Sequence, residues 1–234
     1  RRAGESPFNR EGEEMSAVAT NYLELIELMP EGGRFYQEGV SWEEYEELLE
    51  ELMGVRSVRI SYDQGRMEIM PLSPEHEGYA RLFGYLIQVL TEELNLAFVS
   101  RGSTTLKRKL SAKGKEPDDC FYIGDLDRIR GKKRLDLDWD APPDLAIEVD
   151  ITNPTLDKFP IYAGLGVPEI WRYDGKQVEF YRLDEDYYAP IPTSDLFPFL
   201  EPAVVAEAIE RGDNEDINAM RREFRIWVQA NKLQ

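Results

Sequence analysis

A long amphipathic helix with strand-like sequence on both sides constrains the fold more than any other feature. The stretch SPEHEGYARLFGYLIQVLTEEL places Ser73 as the N-cap and Pro74 in the first helical position. Its apolar residues recur at helical spacing and form one stripe: Tyr79, Phe83, Leu86, Ile87, Leu90 and Leu94. Such a stripe has to be buried against another layer, so we expect this helix to pack on a sheet.

Strand patterns precede and follow this helix. The stretch VRSVRISYDQGRMEIMPLS alternates on both sides of DQG, which predicts a β-hairpin. Further strands are predicted in AFVSRGSTTLKRKL, PDDCFYIG, APPDLAIEVD, EIWRYDG and QVEFYRL. A short helix, TLDKFPIYAGLG, is weakened by Pro160. The order predicts one α/β domain with a central mixed β-sheet flanked by helices.

Additional helices are predicted near both ends of the chain. Ser41 caps SWEEYEELLEELMG and Gly54 terminates it, while PAVVAEAIERG and EDINAMRREFRIWVQAN follow a Pro-rich stretch. The opening residues lack apolar periodicity. We therefore divide the chain into a disordered extension (1–15), an N-terminal helical segment (16–54), a core (55–189) and a Pro-rich linker with C-terminal helices (190–234).

The charge balance limits the classes of partner. The chain has 46 acidic and 28 basic residues, and its net charge of -18 argues against broad non-specific binding to nucleic acid or membrane. Residues 101–134 are locally basic, which indicates either a polyanion partner or two solvated hairpin faces. The single cysteine, Cys120, excludes an internal disulfide and a Cys-rich zinc site. No apolar run approaches the roughly 18 residues of a membrane span, and a cytoplasmic location is expected.

Carboxylates alternate with apolar residues in APPDLAIEVD, so Glu148 and Asp150 share one face of a strand. A solvated sheet face explains this pattern, and so does a metal site. Asp118 lies at the start of the preceding predicted strand, EPDDCFYI. If the two strands are neighbours, Asp118 and Glu148 converge on one cation, and Mg²⁺ prefers such hard oxygen ligands. The pattern alone leaves both explanations open.

Several blocks in this order resemble the Uma2 family of restriction-endonuclease-like proteins. They are YDQGRMEIM, SPEHEGY, EPDDCFYI, PPDLAIEVDIT and DKFPIYAGLGVPEIWRYDG, within about residues 55–185. The resemblance implies a PD-(D/E)xK nuclease core at 55–189, with a divalent metal, Mg²⁺ or Mn²⁺, and DNA as substrate. It makes Asp118 the aspartate of the PD motif and Glu148 the acidic residue of the second motif half.

The chain departs from the nuclease pattern at Asp150, where that pattern has a lysine. Members of the family commonly carry a lysine further on, four residues before a tyrosine, and Lys158 and Tyr162 match that arrangement. This spacing puts both on one helix face, from which Lys158 reaches back to the site or forms a surface ion pair. Asp150 shares a face with Glu148 and is expected to line the site.

His76 is the only histidine, and the helical spacing turns it inward near the start of its helix. A structural role, metal ligation and proton transfer all remain open for it. Glu75 is either a second acid for the metal or a favourable charge at the helix N-terminus. The candidate catalytic residues are Asp118, Glu148, Lys158 and His76, and the candidate metal ligands are Asp118, Glu148, Asp150 and Glu75.

The resemblance implies a metal-dependent endonuclease that hydrolyses DNA phosphodiester bonds, with residues 101–134 along the DNA backbone. The alternative is a catalytically inactive nuclease-fold module for nucleic-acid binding or protein interaction, which the net charge and the missing motif lysine favour. In a third hypothesis, helices at 41–53 and 214–231 bind a partner or a second copy, giving a homo-oligomer.

Overall fold

The computed structural model describes residues 21–52, 58–151 and 156–232. The extension predicted at 1–15 and the predicted helix terminator Gly54 lie outside these residues. Within the described ranges the chain forms a mixed α/β structure with two β-sheets and six α-helices, and the predicted fold class is confirmed. No helix in these ranges combines the length and the apolar character needed to cross a membrane.

The elements follow the chain in a mixed order. The helices are α1 (Tyr22–Leu28), α2 (Trp42–Glu51), α3 (Pro74–Glu93), α4 (Phe159–Leu165), α5 (Pro202–Asn214) and α6 (Ile217–Asn231). The strands are β1 (Phe35–Glu38), β2 (Val58–Asp63), β3 (Arg66–Pro71), β4 (Phe98–Ser100), β5 (Leu106–Arg108), β6 (Lys113–Lys115), β7 (Asp119–Ile123), β8 (Leu145–Val149), β9 (Glu169–Tyr173), β10 (Val178–Asp184) and β11 (Tyr187–Ile191).

The larger sheet is mixed and has the strand order β11-β10-β9-β8-β7-β4. Its β8 and β9 are parallel, and its other neighbouring strands are antiparallel. The predicted stripe of α3 packs on one face together with α5 and α6, against Ile147 and Trp171. The opposite face is covered on the side of α4, where Ala146 and Ile170 lie in one apolar cluster with Ile161. The central strands are therefore buried on both sides.

The smaller sheet is antiparallel, with the order β1-β3-β2-β6-β5, and it contains the predicted hairpin as β2 and β3. α1 and α2 cover it through Ile26, Tyr45 and Leu48. β6 ends only three residues before Asp118. The chain therefore passes from the smaller sheet to the larger one at the candidate site.

Several strand predictions were incomplete. AFVSRGSTTLKRKL forms two strands, β4 and β5, which belong to different sheets. The short strands β1, β6 and β11 were not predicted. The sequences of β1 (Phe-Tyr-Gln-Glu) and β6 (Lys-Gly-Lys) carry no apolar alternation. β11 contains Pro190, which an edge strand tolerates. Pro160 lies in the first turn of α4. A backbone N–H at this position has no acceptor within the helix, so a proline, which lacks the N–H, is tolerated there.

Candidate active site

Asp118 and Glu148 meet because β7 and β8 are antiparallel neighbours, with Asp119 opposite Ile147. The backbone N–H of Asp118 donates to the carbonyl of Ile147 (3.1 Å), and its Oδ2 accepts the backbone N–H of Val149 (2.8 Å). The two carboxylates are 7% and 2% exposed. The start of one strand and the end of the next therefore bring both acids into one buried cluster.

Glu148 is surrounded by donors. Lys158 Nζ lies 2.6 Å from its Oε2 and Lys115 Nζ 3.1 Å from its Oε1, which also accepts the hydroxyl of Tyr162. Burial by itself raises the pKa of Glu148, but Lys115 and Lys158 lower it to about 2. Glu148 is therefore held as a carboxylate.

Lys158 bridges Glu148 to Asp150. Its Nζ lies 2.5 Å from Oδ1 of Asp150, whose Oδ2 lies 3.1 Å from Nε of Arg172. Lys158 precedes α4 as its N-cap, and Tyr162 follows one turn later, so both reach Glu148 from the same side. Burial opposes the charge on Lys158, yet Glu148 and Asp150 raise its pKa above the ordinary value. Lys158 is thus a fixed, buried cation rather than a surface residue.

The charge of Asp118 is less well compensated. Burial and the negative charge of Glu148 raise its pKa, and Lys158, Lys115 and Arg59 offset this only in part. Nε of Arg59 lies 3.4 Å from Oδ1 of Asp118, a longer contact than those between the lysines and Glu148. A further positive charge beside Asp118 would therefore be favourable.

Lys115 belongs to this cluster although the sequence analysis did not single it out. It ends β6, is 2% exposed, and its Nζ also donates to the carbonyl of Glu116 (2.5 Å). Burial lowers its pKa, which Glu148 partly restores. Its position three residues before Asp118 was the available signal, but a polar triplet gives no indication of which side chain points inward.

His76 points inward, as predicted, and is 1% exposed. Its Nδ1 lies 2.8 Å from Oγ of Ser73, whereas Nε2 is buried with no hydrogen-bond partner among the described residues. Burial, followed by the charges of Lys158 and Arg34, lowers its pKa. Glu75 is exposed in the first turn of α3, where it favours the helix N-terminus.

Among the described residues, the carboxylates of the cluster could offer a metal two ligands at most. In the described part of the chain, no three His, Cys, Asp or Glu side chains group closely enough to hold a metal ion, so the four predicted ligands do not form one set. Asp150 is paired with Lys158 and Arg172. Glu148 is paired with Lys158 and Lys115, so Asp118 has the longest cation contact of the three acids. A pair formed by Asp118 and Glu148 would match the one or two carboxylates that Mg²⁺ commonly takes, with water and substrate oxygens as its other ligands.

Much of the positive charge of the basic stretch 101–134 is paired with acidic side chains of the same chain. Its side chains form ion pairs with acids of other segments: Lys107–Glu46, Lys109–Glu43, Lys113–Asp63, Arg128–Asp144 and Lys132–Asp140. Arg101 and Arg108 donate to backbone carbonyls. The stretch therefore offers less free positive charge than its composition indicates.

Comparisons with known proteins place the chain in a family. A crystal structure titled as a "putative nuclease belonging to DUF820" from Anabaena variabilis ATCC 29413 is similar, with a TM-score of 0.41 and 15% identity, over 69% of this chain and 90% of that chain. No curated protein matches. The Uma2 family model, described as "Putative restriction endonuclease", matches residues 42–212. This range includes the whole carboxylate and lysine cluster, and the chain belongs to the Uma2 family.

Proposed function

We propose that this protein is a metal-dependent endonuclease that hydrolyses phosphodiester bonds of DNA, with Asp118 and Glu148 holding Mg²⁺ or Mn²⁺. The observation that carries the proposal is the meeting of these two buried carboxylates at the ends of neighbouring strands. Membership of the Uma2 family supports nuclease chemistry. Such a metal polarises the phosphate and lowers the pKa of a bound water.

The two lysines have different parts in this proposal. Lys158 is fixed between Glu148 and Asp150 and keeps both in place. Lys115 contacts the other oxygen of Glu148, and burial lowers its pKa, which makes its ammonium group a stronger acid than that of an ordinary lysine. We assign to Lys115 the proton-transfer role that the motif lysine has in the nuclease pattern, and to Lys158 a positioning role.

The alternative is a nuclease-fold module that binds nucleic acid or protein without cleaving it. The net charge of -18 and the internal pairing of the basic stretch favour this alternative, because DNA affinity normally depends on phosphate neutralisation. Assembly of copies through α2 and the C-terminal helices is a further proposal that is compatible with either function.

Cleavage of supercoiled plasmid with Mg²⁺, Mn²⁺ or EDTA tests the proposal. Asp118→Asn removes one proposed ligand charge, while Asp119→Asn is the matched control, since Asp119 bonds to Ser100 and to its own strand. We expect cutting to depend on the metal. The cutting rate should fall by at least about a hundredfold in Asp118→Asn, because this variant loses a charged metal ligand. Cutting should persist in Asp119→Asn. Plasmid binding without cutting by the wild type would favour the alternative.

A further inference from the structure

The first turn of α3 brings the single histidine of the chain to the edge of the carboxylate cluster. His76 is the third residue of this helix and is almost completely buried. α3 packs against β8, the strand that carries Glu148, and Lys158 and Asp150, which form a pair beside Glu148, act on the pKa of the His76 ring. His76 therefore borders the proposed active site from the α3 side.

Ser73 makes the hydrogen bonds around the Nδ1 side of the His76 ring. Oγ of Ser73 caps α3 by accepting the backbone N–H of His76 (3.4 Å), and it lies 2.8 Å from Nδ1 of the same residue. The hydroxyl hydrogen is consequently available to donate, and Nδ1 is the acceptor beside it. In the tautomer that our proposal requires, Ser73 donates to Nδ1, and the proton of the neutral imidazole is on Nε2.

Nε2–H has no acceptor among the described residues, although it is buried. Buried donors in proteins are nearly always paired, so an unpaired one beside a proposed active site indicates a position for a ligand acceptor. In the other tautomer Nδ1–H donates to Ser73 and Nε2 is an acceptor, so the position of the proton distinguishes a phosphate site from a cation site.

The charges around the ring favour an anion. Lys158 and Arg34 act on His76 more strongly than Glu75 and Asp150 do. The N-terminus of the 20-residue α3 adds the positive end of a helix dipole. A hydrogen-bond donor near a lysine and at the N-terminus of a long helix matches a phosphate oxygen.

We propose that His76, with Lys158 and the N-terminus of α3, forms a phosphate-binding subsite in which Nε2–H donates to an oxygen of the scissile phosphodiester. The identity of this phosphate as part of DNA rests on the proposed function. The subsite itself needs no metal. His76 then positions the substrate, and Lys115 remains the group assigned to proton transfer.

Nuclear magnetic resonance of the ¹⁵N-histidine-labelled protein in EDTA tests the subsite directly, because the chain has one histidine. We expect a protonated Nε2 and an unprotonated Nδ1. Both ring signals should shift on titration with inorganic phosphate and with a short DNA duplex, but not with sodium chloride at matched ionic strength. A protonated Nδ1, or a ring that responds to neither phosphate nor DNA, would overturn the subsite.

Two matched variants test the donor in binding. The amide nitrogen of His76→Gln replaces Nε2, whereas that of His76→Asn is too short to do so. In EDTA we expect duplex affinity to fall about tenfold or more in His76→Asn, as for loss of a hydrogen bond to a charged group, and to stay within about threefold in His76→Gln. Equal affinities for both variants and the wild type would contradict the inference.

Failure of the subsite and failure of the proposed function give different results. Phosphate-dependent shifts in a protein that never cuts DNA would retain the subsite and reject the nuclease. Metal-dependent cutting by a protein whose histidine ring ignores phosphate and DNA would retain the nuclease and reject the subsite.

Discussion

The ammonium nitrogen of Lys158 lies 2.6 Å from Oε2 of Glu148, and both side chains are almost fully buried. Glu148 is on β8 and Lys158 is the N-cap of α4, so the pair joins a strand to the helix that covers its sheet. A buried pair of this kind depends on both partners, because removal of one leaves an uncompensated charge in a medium of low polarity. The cluster therefore supports the fold as well as the proposed chemistry.

Glu148→Gln should destabilise the protein by about 3 kcal/mol or more, because Lys115 and Lys158 lose their shared carboxylate. Lys115→Met in the same background removes one of the two lysine charges that have lost the Glu148 carboxylate. We expect the double variant to lose less stability than the sum of the two single variants, by about 1–3 kcal/mol. Urea unfolding of the four proteins at pH 7 measures this coupling, and strictly additive losses would contradict it.

Tyr162→Phe should lower the free energy of unfolding by about 1.5–3 kcal/mol, since its buried hydroxyl donates to the charged Glu148. Tyr181 provides the control, because its hydroxyl donates to Glu179 (2.9 Å) at the surface. Tyr181→Phe should cost less than about 0.5 kcal/mol. Equal losses in the two variants, measured by urea unfolding, would show that Glu148 does not depend on this donor.

Asp119 predicts a specific pH dependence. Burial raises the pKa of Asp119 from its ordinary value of 3.8 to about 6, so the folded state binds this proton more tightly than the unfolded state. The resulting stabilisation is fully present below pH 3.8 and is lost as the pH rises through 6. Asp119→Asn keeps an Oδ1 acceptor for Ser100 and removes the titration.

The stability of Asp119→Asn relative to the wild type should therefore increase between pH 4 and pH 7. We expect an increase of about 1–2 kcal/mol, reduced from the full linkage value because the side chain is partly solvated. Asp186→Asn, in an exposed turn, should show no such trend. A flat difference for Asp119→Asn in urea unfolding at several pH values would contradict the prediction.

Gly114→Ala should disrupt the packing of α2 on the smaller sheet. A Cβ at this position would lie 2.1 Å from the hydroxyl oxygen of Tyr45, which is fully buried and stacked on Tyr62. We expect a loss of roughly 1–3 kcal/mol, as for other overpacked cores. Gly78→Ala is the control: no atom lies within 4 Å of its Cβ position, and alanine in this helix should stabilise by about 0.5–1 kcal/mol. Thermal unfolding of both variants measures these changes. A Gly114→Ala variant at least as stable as Gly78→Ala would contradict the prediction.

The sequence predicted the elements whose periodicity extends over many residues. α3 and the β2–β3 hairpin each present a strong apolar pattern, and β8 alternates clearly enough to mark Glu148. The proximity of Asp118 followed from the order of the strands and from the family blocks. Local pattern was sufficient in these cases because each element buries one recognisable face.

Long-range pairing was not predictable in the same way. Lys115 reaches Glu148 because β6 pairs with β2, whose Ser61 lies opposite it across the sheet. A three-residue polar strand carries no signal for that pairing. The basic stretch suggested a polyanion partner, whereas the acids that neutralise Lys107 and Lys113 lie on α2 and β2, far away in sequence. Composition alone does not distinguish internal pairing from a binding surface.

The most direct test of the central claim is calorimetric titration of Mg²⁺ and Mn²⁺ into the wild type, Asp118→Asn and Asp119→Asn. If Asp118 and Glu148 hold a divalent cation, the wild type and Asp119→Asn should bind the metal, and binding should be lost in Asp118→Asn. Absence of metal binding by the wild type, or equal binding by Asp118→Asn, would contradict the account.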